Sequence, residues 1–127
     1  MKFRCTILYV QNVAQSLSFF EAAFGFRTKM LHESGDYGEL DTGATILALS
    51  SSKLMEQMGK KPGAPDPARP VFELAVETDD VAAGVAQALK AGAKLVSEPA
   101  KMDWGQTIAY VSEPNGFLIE ICTPVSG

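Results

Sequence analysis

The sequence predicts an α+β fold of two tandem βαβββ modules whose curved mixed sheets enclose a cleft. Three observations carry this. Segments with alternating apolar character and segments with helical spacing follow one another in the same order twice along the chain. An offset of 73 − 5 = 68 residues superposes Cys5 on Glu73, Leu8 on Val76, Val10 on Thr78, Asn12 on Asp80 and Val13 on Val81, which marks a duplicated unit. Between the copies lies GKKPGAPDPARP, a proline-rich stretch unable to join a sheet. The organisation expected is one domain over residues 1–127, with module one at 1–50, a linker at 51–70 and module two at 71–127.

In module one, Phe3 to Val10 is rich in β-branched and aromatic residues and reads as a strand with Cys5, Ile7 and Tyr9 on one face. Asn12 is a helix N-cap, Val13, Leu17, Phe20 and Phe24 recur at helical spacing, and Gly25 is the stop signal. Phe26 to Glu33 and Tyr37 to Asp41 are strands about the turn Ser34-Gly35-Asp36, and Thr45 to Leu49 is a third. A short helical stretch, Lys53 to Met58, opens the linker. Module two repeats the order. Val71 to Thr78 is a strand, Asp79 or Asp80 caps a helix with Val81, Val85, Ala88 and Leu89 as its stripe, and Gly92 ends it. Lys94 to Ser97, Gln106 to Val111 and Phe117 to Cys122 complete the module, with Pro114-Asn115-Gly116 as the last turn. One helix can cover only one face of each sheet. The other faces must curl around something, hence the cleft.

A chain of 127 residues with 46% hydrophobic and 20% charged residues can bury a core without disulfides or structural metals. The net charge of −4 and scattered Lys and Arg argue against nucleic acid as a partner. No apolar run approaches the roughly 20 residues of a membrane span, and Met1-Lys2-Phe3-Arg4 does not open a secretory signal, so a cytoplasmic protein with no membrane partner is expected. In a reducing compartment Cys5 and Cys122 are expected as buried thiols rather than a disulfide.

The segment LYVQNVAQSLSFFEAAFGF, and later FELAVETDDVAAGVAQALKAGAKLVSEP followed by WGQTIAYVSEPNGFLIEI, resemble the two module motifs of the vicinal oxygen chelate superfamily. That superfamily includes glyoxalase I, extradiol dioxygenases and bleomycin-resistance proteins, and the resemblance covers nearly the whole chain. It implies a glyoxalase-like fold and, because one scaffold hosts many chemistries, no single function. It also implies metal-ligand positions on the first and last strand of each module, facing the concave side, which fall here on Cys5, Leu47, Glu73 and Glu120. Leu47 carries no donor atom, and Cys5 is a soft ligand beside hard carboxylates. A dioxygenase-type iron site needs two histidines, and the chain has only His32. No metal and no cofactor are therefore expected.

Glu73 and Glu120 remain the candidates for chemistry: either solvated rim charges, or a recognition or acid–base pair in the cleft. Alternation places Glu73, Ala75 and Glu77 on the cleft side, with Phe72, Leu74 and Val76 toward the helix. In the implied fold Trp104 lies near the cleft mouth, as a stacking partner for ligand or as a residue packed on the sheet edge. The ligand-binding set is thus Cys5, Leu47, Glu73, Trp104 and Glu120, with His32 unassigned. The leading expectation is a metal-free homodimer that binds a small organic molecule, cationic or aromatic, as bleomycin-resistance proteins do. The alternatives are a glyoxalase-like lyase or isomerase using Glu73 or Glu120, with or without a divalent metal, and a scaffold whose concave face is filled by its own side chains.

Overall fold

The computed structural model describes residues 1–125 and divides them into two compact units, Met1–Gly63 and a second that starts at Ala64. The boundary falls inside the 51–70 segment.

In the first unit, β1 (Cys5–Val10), α1 (Val13–Phe24), β2 (Arg27–Leu31), β3 (Tyr37–Asp41) and β4 (Ile46–Ser51) follow the βαβββ order. The sheet runs β1-β4-β3-β2, with β1 parallel to β4 and the other pairs antiparallel. The α1 boundaries follow from its caps. Asn12 Oδ1 accepts from the Gln15 N–H at 3.0 Å, and Gly25, at φ 73°, takes the left-handed conformation that ends the helix and donates to Glu21 O. Val13, Leu17 and Phe20 are buried against the sheet, and Gly38 on β3 is small because a Cβ there would stand 2.9 Å from Leu17 Cδ1. That contact fixes which side of the sheet faces α1. Gly38 and Leu40 of β3 lie on it, together with their cross-strand partners Leu49 and Leu47 of β4 and, on β1, Leu8 and Thr6.

The helical stretch expected at 53–58 is α2 (Ser52–Gln57), capped by Ser51 Oγ accepting from the Leu54 N–H at 3.0 Å. It belongs to the first unit. Its neighbour Lys60 donates from Nζ to Tyr9 Oη at 2.9 Å.

In the second unit, β5 (Leu74–Glu77), α3 (Val81–Lys90), β6 (Lys94–Lys101), β7 (Thr107–Ser112) and β8 (Leu118–Cys122) repeat the plan, with sheet order β5-β8-β7-β6. Asp80 rather than Asp79 is the cap of α3, accepting from the Ala83 N–H at 3.0 Å. A Cβ on Gly84 would lie 3.2 Å from Ile121 Cγ2, which sets Ile121, with Val76 and Ala109 beside it, on the helix side. Two strands differ from expectation by more than two residues at one end. The first begins at Leu74 instead of Val71, and β6 runs past Ser97 to Lys101. β6 tolerates Pro99 because it is an edge strand with register shifts on both sides of Ser97. Among the described residues no helix is long and apolar enough to cross a membrane.

Candidate functional site

The face of the second sheet turned away from α3 carries the candidate site. The register puts Ala75, Glu120 and Tyr110 in one cross-strand row and Glu77, Cys122 and Ile108 in the next. Glu73 lies one residue ahead of β5, and alternation continued to it gives the same side. The Tyr110 hydroxyl donates to Glu120 Oε1 at 3.1 Å. Burial, foremost, then the hydrogen bond and charge of Glu120, and then the charge and hydrogen bonding of Glu73, push the Tyr110 phenol up to about 12. Both glutamates therefore act on one phenol, and the structure brings them together. In the next row the Cys122 thiol is buried and pushed up to about 11, by burial first and then by Glu120 and Glu77. Glu73 and Glu77 are exposed, Glu120 is half-buried, and among the described residues none of the three has an ion-pair partner.

The corresponding face of the first unit differs. Its rows are Tyr9, Ser50 and Tyr37; Ile7, Ala48 and Glu39; and Cys5, Ile46 and Asp41. Glu39, only 6% exposed, accepts from the Tyr37 hydroxyl at 2.6 Å and from Arg4 Nη2 at 3.0 Å, both on Oε2. These two donors, Tyr37 first, hold the Glu39 carboxyl below the usual carboxylate range. Burial, and then the hydrogen bond to Glu39, raise the Tyr37 phenol. Arg4 also donates from Nη1 to Cys5 Sγ at 3.1 Å. No local pattern signals this group, since Arg4 and Glu39 are 35 residues apart and meet only through the fold.

Leu47 is not on that face. It pairs with Leu40 and Thr6 on the α1 side, and the residue that shares the register of Glu120 is Ala48, paired with Ile7 and Glu39 as Glu120 is with Ala75 and Tyr110. The correction is a slip of one residue, which in a strand moves a side chain to the opposite face. Trp104 lies in the connection between β6 and β7, 62% exposed, with Nε1 donating to Gln106 Oε1 at 2.7 Å while Gln106 Nε2 donates to Thr123 O at 2.7 Å. His32 is exposed and serves the β2–β3 turn, its Nδ1 accepting from the Ser34 N–H at 3.1 Å.

The metal positions of the resemblance thus become Cys5, Ala48, Glu73 and Glu120. A methyl group stands at one of them and a guanidinium-bound thiol at another. Among the described residues no three His, Cys, Asp or Glu side chains are placed to hold a metal ion. The residues present do not fit such a centre.

Comparison with known proteins agrees with this architecture. A family model described as a glyoxalase-like domain matches residues 3–126. A glyoxalase-related enzyme from Fulvimarina pelagi superposes with a TM-score of 0.82 at 19% identity, over 98% of this chain and 88% of that one. A glyoxalase/bleomycin resistance protein/dioxygenase family enzyme from Burkholderia phytofirmans PsJN gives 0.77 at 21% identity, over 96% and 97%. A member of the glyoxalase/bleomycin resistance protein/dioxygenase superfamily from Sphaerobacter thermophilus DSM 20745 gives 0.73 at 21%, over 98% of each chain. No curated protein matches the chain. At these identities the structural likeness speaks for the fold alone, but the family model spans almost the entire sequence, and the chain belongs to the glyoxalase-like domain family.

Proposed function

We propose that this protein binds a small organic cation, without a metal, on the face of its second sheet that bears Glu73, Glu120 and Tyr110. One observation supports this most directly: Glu73, Glu77 and Glu120 share a face and have no ion-pair partner among the described residues, whereas Glu39 of the first unit has its own arginine. Carboxylates left uncompensated on a partly apolar surface favour a ligand that brings positive charge. Exposed Ala75, directly across from Glu120, supplies apolar surface beside them for the organic part of such a ligand.

The test is a calorimetric titration of the full chain with benzylamine and, at equal ionic strength, with benzoate. Saturable binding of benzylamine with none of benzoate supports the reading. Equal responses to both, or none to either, overturn it. The second reading, a lyase or isomerase in which Glu73 or Glu120 takes a proton, rests on the same carboxylates. The fully exposed strands β2 and β6 support the expectation of a homodimer, because unpaired edges favour association, and sedimentation at micromolar concentration checks it.

A further inference from the structure

The first unit contains a nearly buried carboxylate whose ion-pair partner, among the described residues, comes from a segment with no secondary structure. Glu39 has a side chain 8% exposed, and Arg4, which sits ahead of β1, has one 66% exposed. Glu39 is anchored at the centre of the sheet, with Ala48 beside it fully buried and the Tyr37 hydroxyl fixed on its Oε2 at 2.6 Å. The acceptors are built into strands, and the donor is draped over them. The contact also has a definite shape. Two nitrogens of one guanidinium reach two different acceptors, Nη2 to Glu39 Oε2 at 3.0 Å and Nη1 to Cys5 Sγ at 3.1 Å. A planar fork can do this, and a single ammonium cannot hold that fork geometry.

We propose that Glu39, Tyr37 and Cys5 form a guanidinium-binding site that Arg4 fills from within the same chain. The ligand class is a guanidinium or amidinium group, matched by one buried carboxylate and one thiol at fork spacing. With Arg4 in place the site is closed to outside ligands. With Arg4 removed, Glu39 is a buried charge lacking its cation, a state that costs stability and that an added guanidinium relieves.

The test uses the full chain as wild type, Arg4→Ala, and Arg4→Ala with Glu39→Gln, each melted with and without 10 mM methylguanidinium, and with methylammonium at the same ionic strength. Arg4→Ala melts below wild type, and methylguanidinium raises its Tm by about 2 °C or more, in keeping with ligand linkage for a domain of this size. Methylammonium gives less than half that rise, and wild type and the double variant do not respond. Should Arg4→Ala be unfolded, methylguanidinium restores its circular dichroism and methylammonium does not. A response of wild type or of the double variant equal to that of Arg4→Ala overturns the proposal, as does equal rescue by methylammonium or no rescue by either.

Discussion

The Tyr110 hydroxyl and Glu120 Oε1, 3.1 Å apart, belong to residues that face each other directly across the antiparallel pair β7–β8. Neither side chain has to reach, so the carboxylate is oriented by the sheet register itself. On the proposed reading, Glu120→Gln weakens benzylamine binding by about 1.5–3 kcal/mol, the range for losing a charge-assisted hydrogen bond, while the urea midpoint stays near that of wild type. An unchanged calorimetric affinity removes Glu120 from the site.

The same pair makes a prediction in alkali. The Tyr110 phenol goes from its ordinary value of 10.0 to about 12 in the fold, so the native state keeps its proton where the unfolded chain has lost it. This contribution is fully present below pH 10 and is lost as the pH rises toward 12. Urea unfolding between pH 9 and pH 12 therefore shows a steeper loss for wild type than for Tyr110→Phe. Parallel curves would contradict the assignment.

Glu39 gives the opposite sign. Its carboxyl is held below the ordinary value of 4.5, so its contribution is present above that pH and is lost as the pH falls through the folded value. Acid unfolding of Glu39→Gln is flatter below pH 4.5 than that of wild type. At pH 7 Arg4→Ala melts lower than Glu39→Gln, because it alone leaves a buried charge uncompensated.

Thiol labelling separates the two cysteines. Cys122 is buried with its thiol pushed up to about 11, whereas Cys5 is half-buried. At pH 8 one thiol per chain reacts with an aromatic disulfide reagent in the folded protein, and Cys5→Ser abolishes that phase. The second thiol reacts only after unfolding.

Gly38→Ala tests the packing of α1 on its sheet. The new methyl group would meet Leu17 Cδ1 at 2.9 Å, Val13 Cγ1 at 3.2 Å and Met30 O at 3.3 Å. Overpacking of this kind costs about 1–3 kcal/mol, read as a lower urea midpoint at unchanged slope.

The helices were legible in the sequence because their ends are chemical. Asn12 and Asp80 place the starts of α1 and α3 at Val13 and Val81, the bounds observed, and Gly25 stops the first. Alternation in Leu118–Cys122 puts Glu120 on the face of its register partner Tyr110. The facing of Leu47 was not legible. Ile46, Leu47, Ala48 and Leu49 are all apolar, so no alternation marks which of them turns from the helix, and only pairing with Leu40 decides. The Arg4–Glu39 contact was invisible for a different reason: it crosses from the lead-in to β1 over β4 to β3, and no local pattern encodes that reach.

The strand order has a bearing on how each unit acquires its structure. Among the described residues β1 pairs only with β4, and β5 only with β8, so in both units the strand made first waits for the strand made last. The Cys5–Ile46 and Ala75–Glu120 pairings span 46 − 5 = 41 and 120 − 75 = 45 residues. Until that loop closes, the backbone amides of β1 and β5 remain bonded to water, and the entropy of closure is met late and all at once. On the ribosome, β1 stays an unpaired ribbon until about forty further residues have emerged, which makes the last strand of each unit the step that commits it.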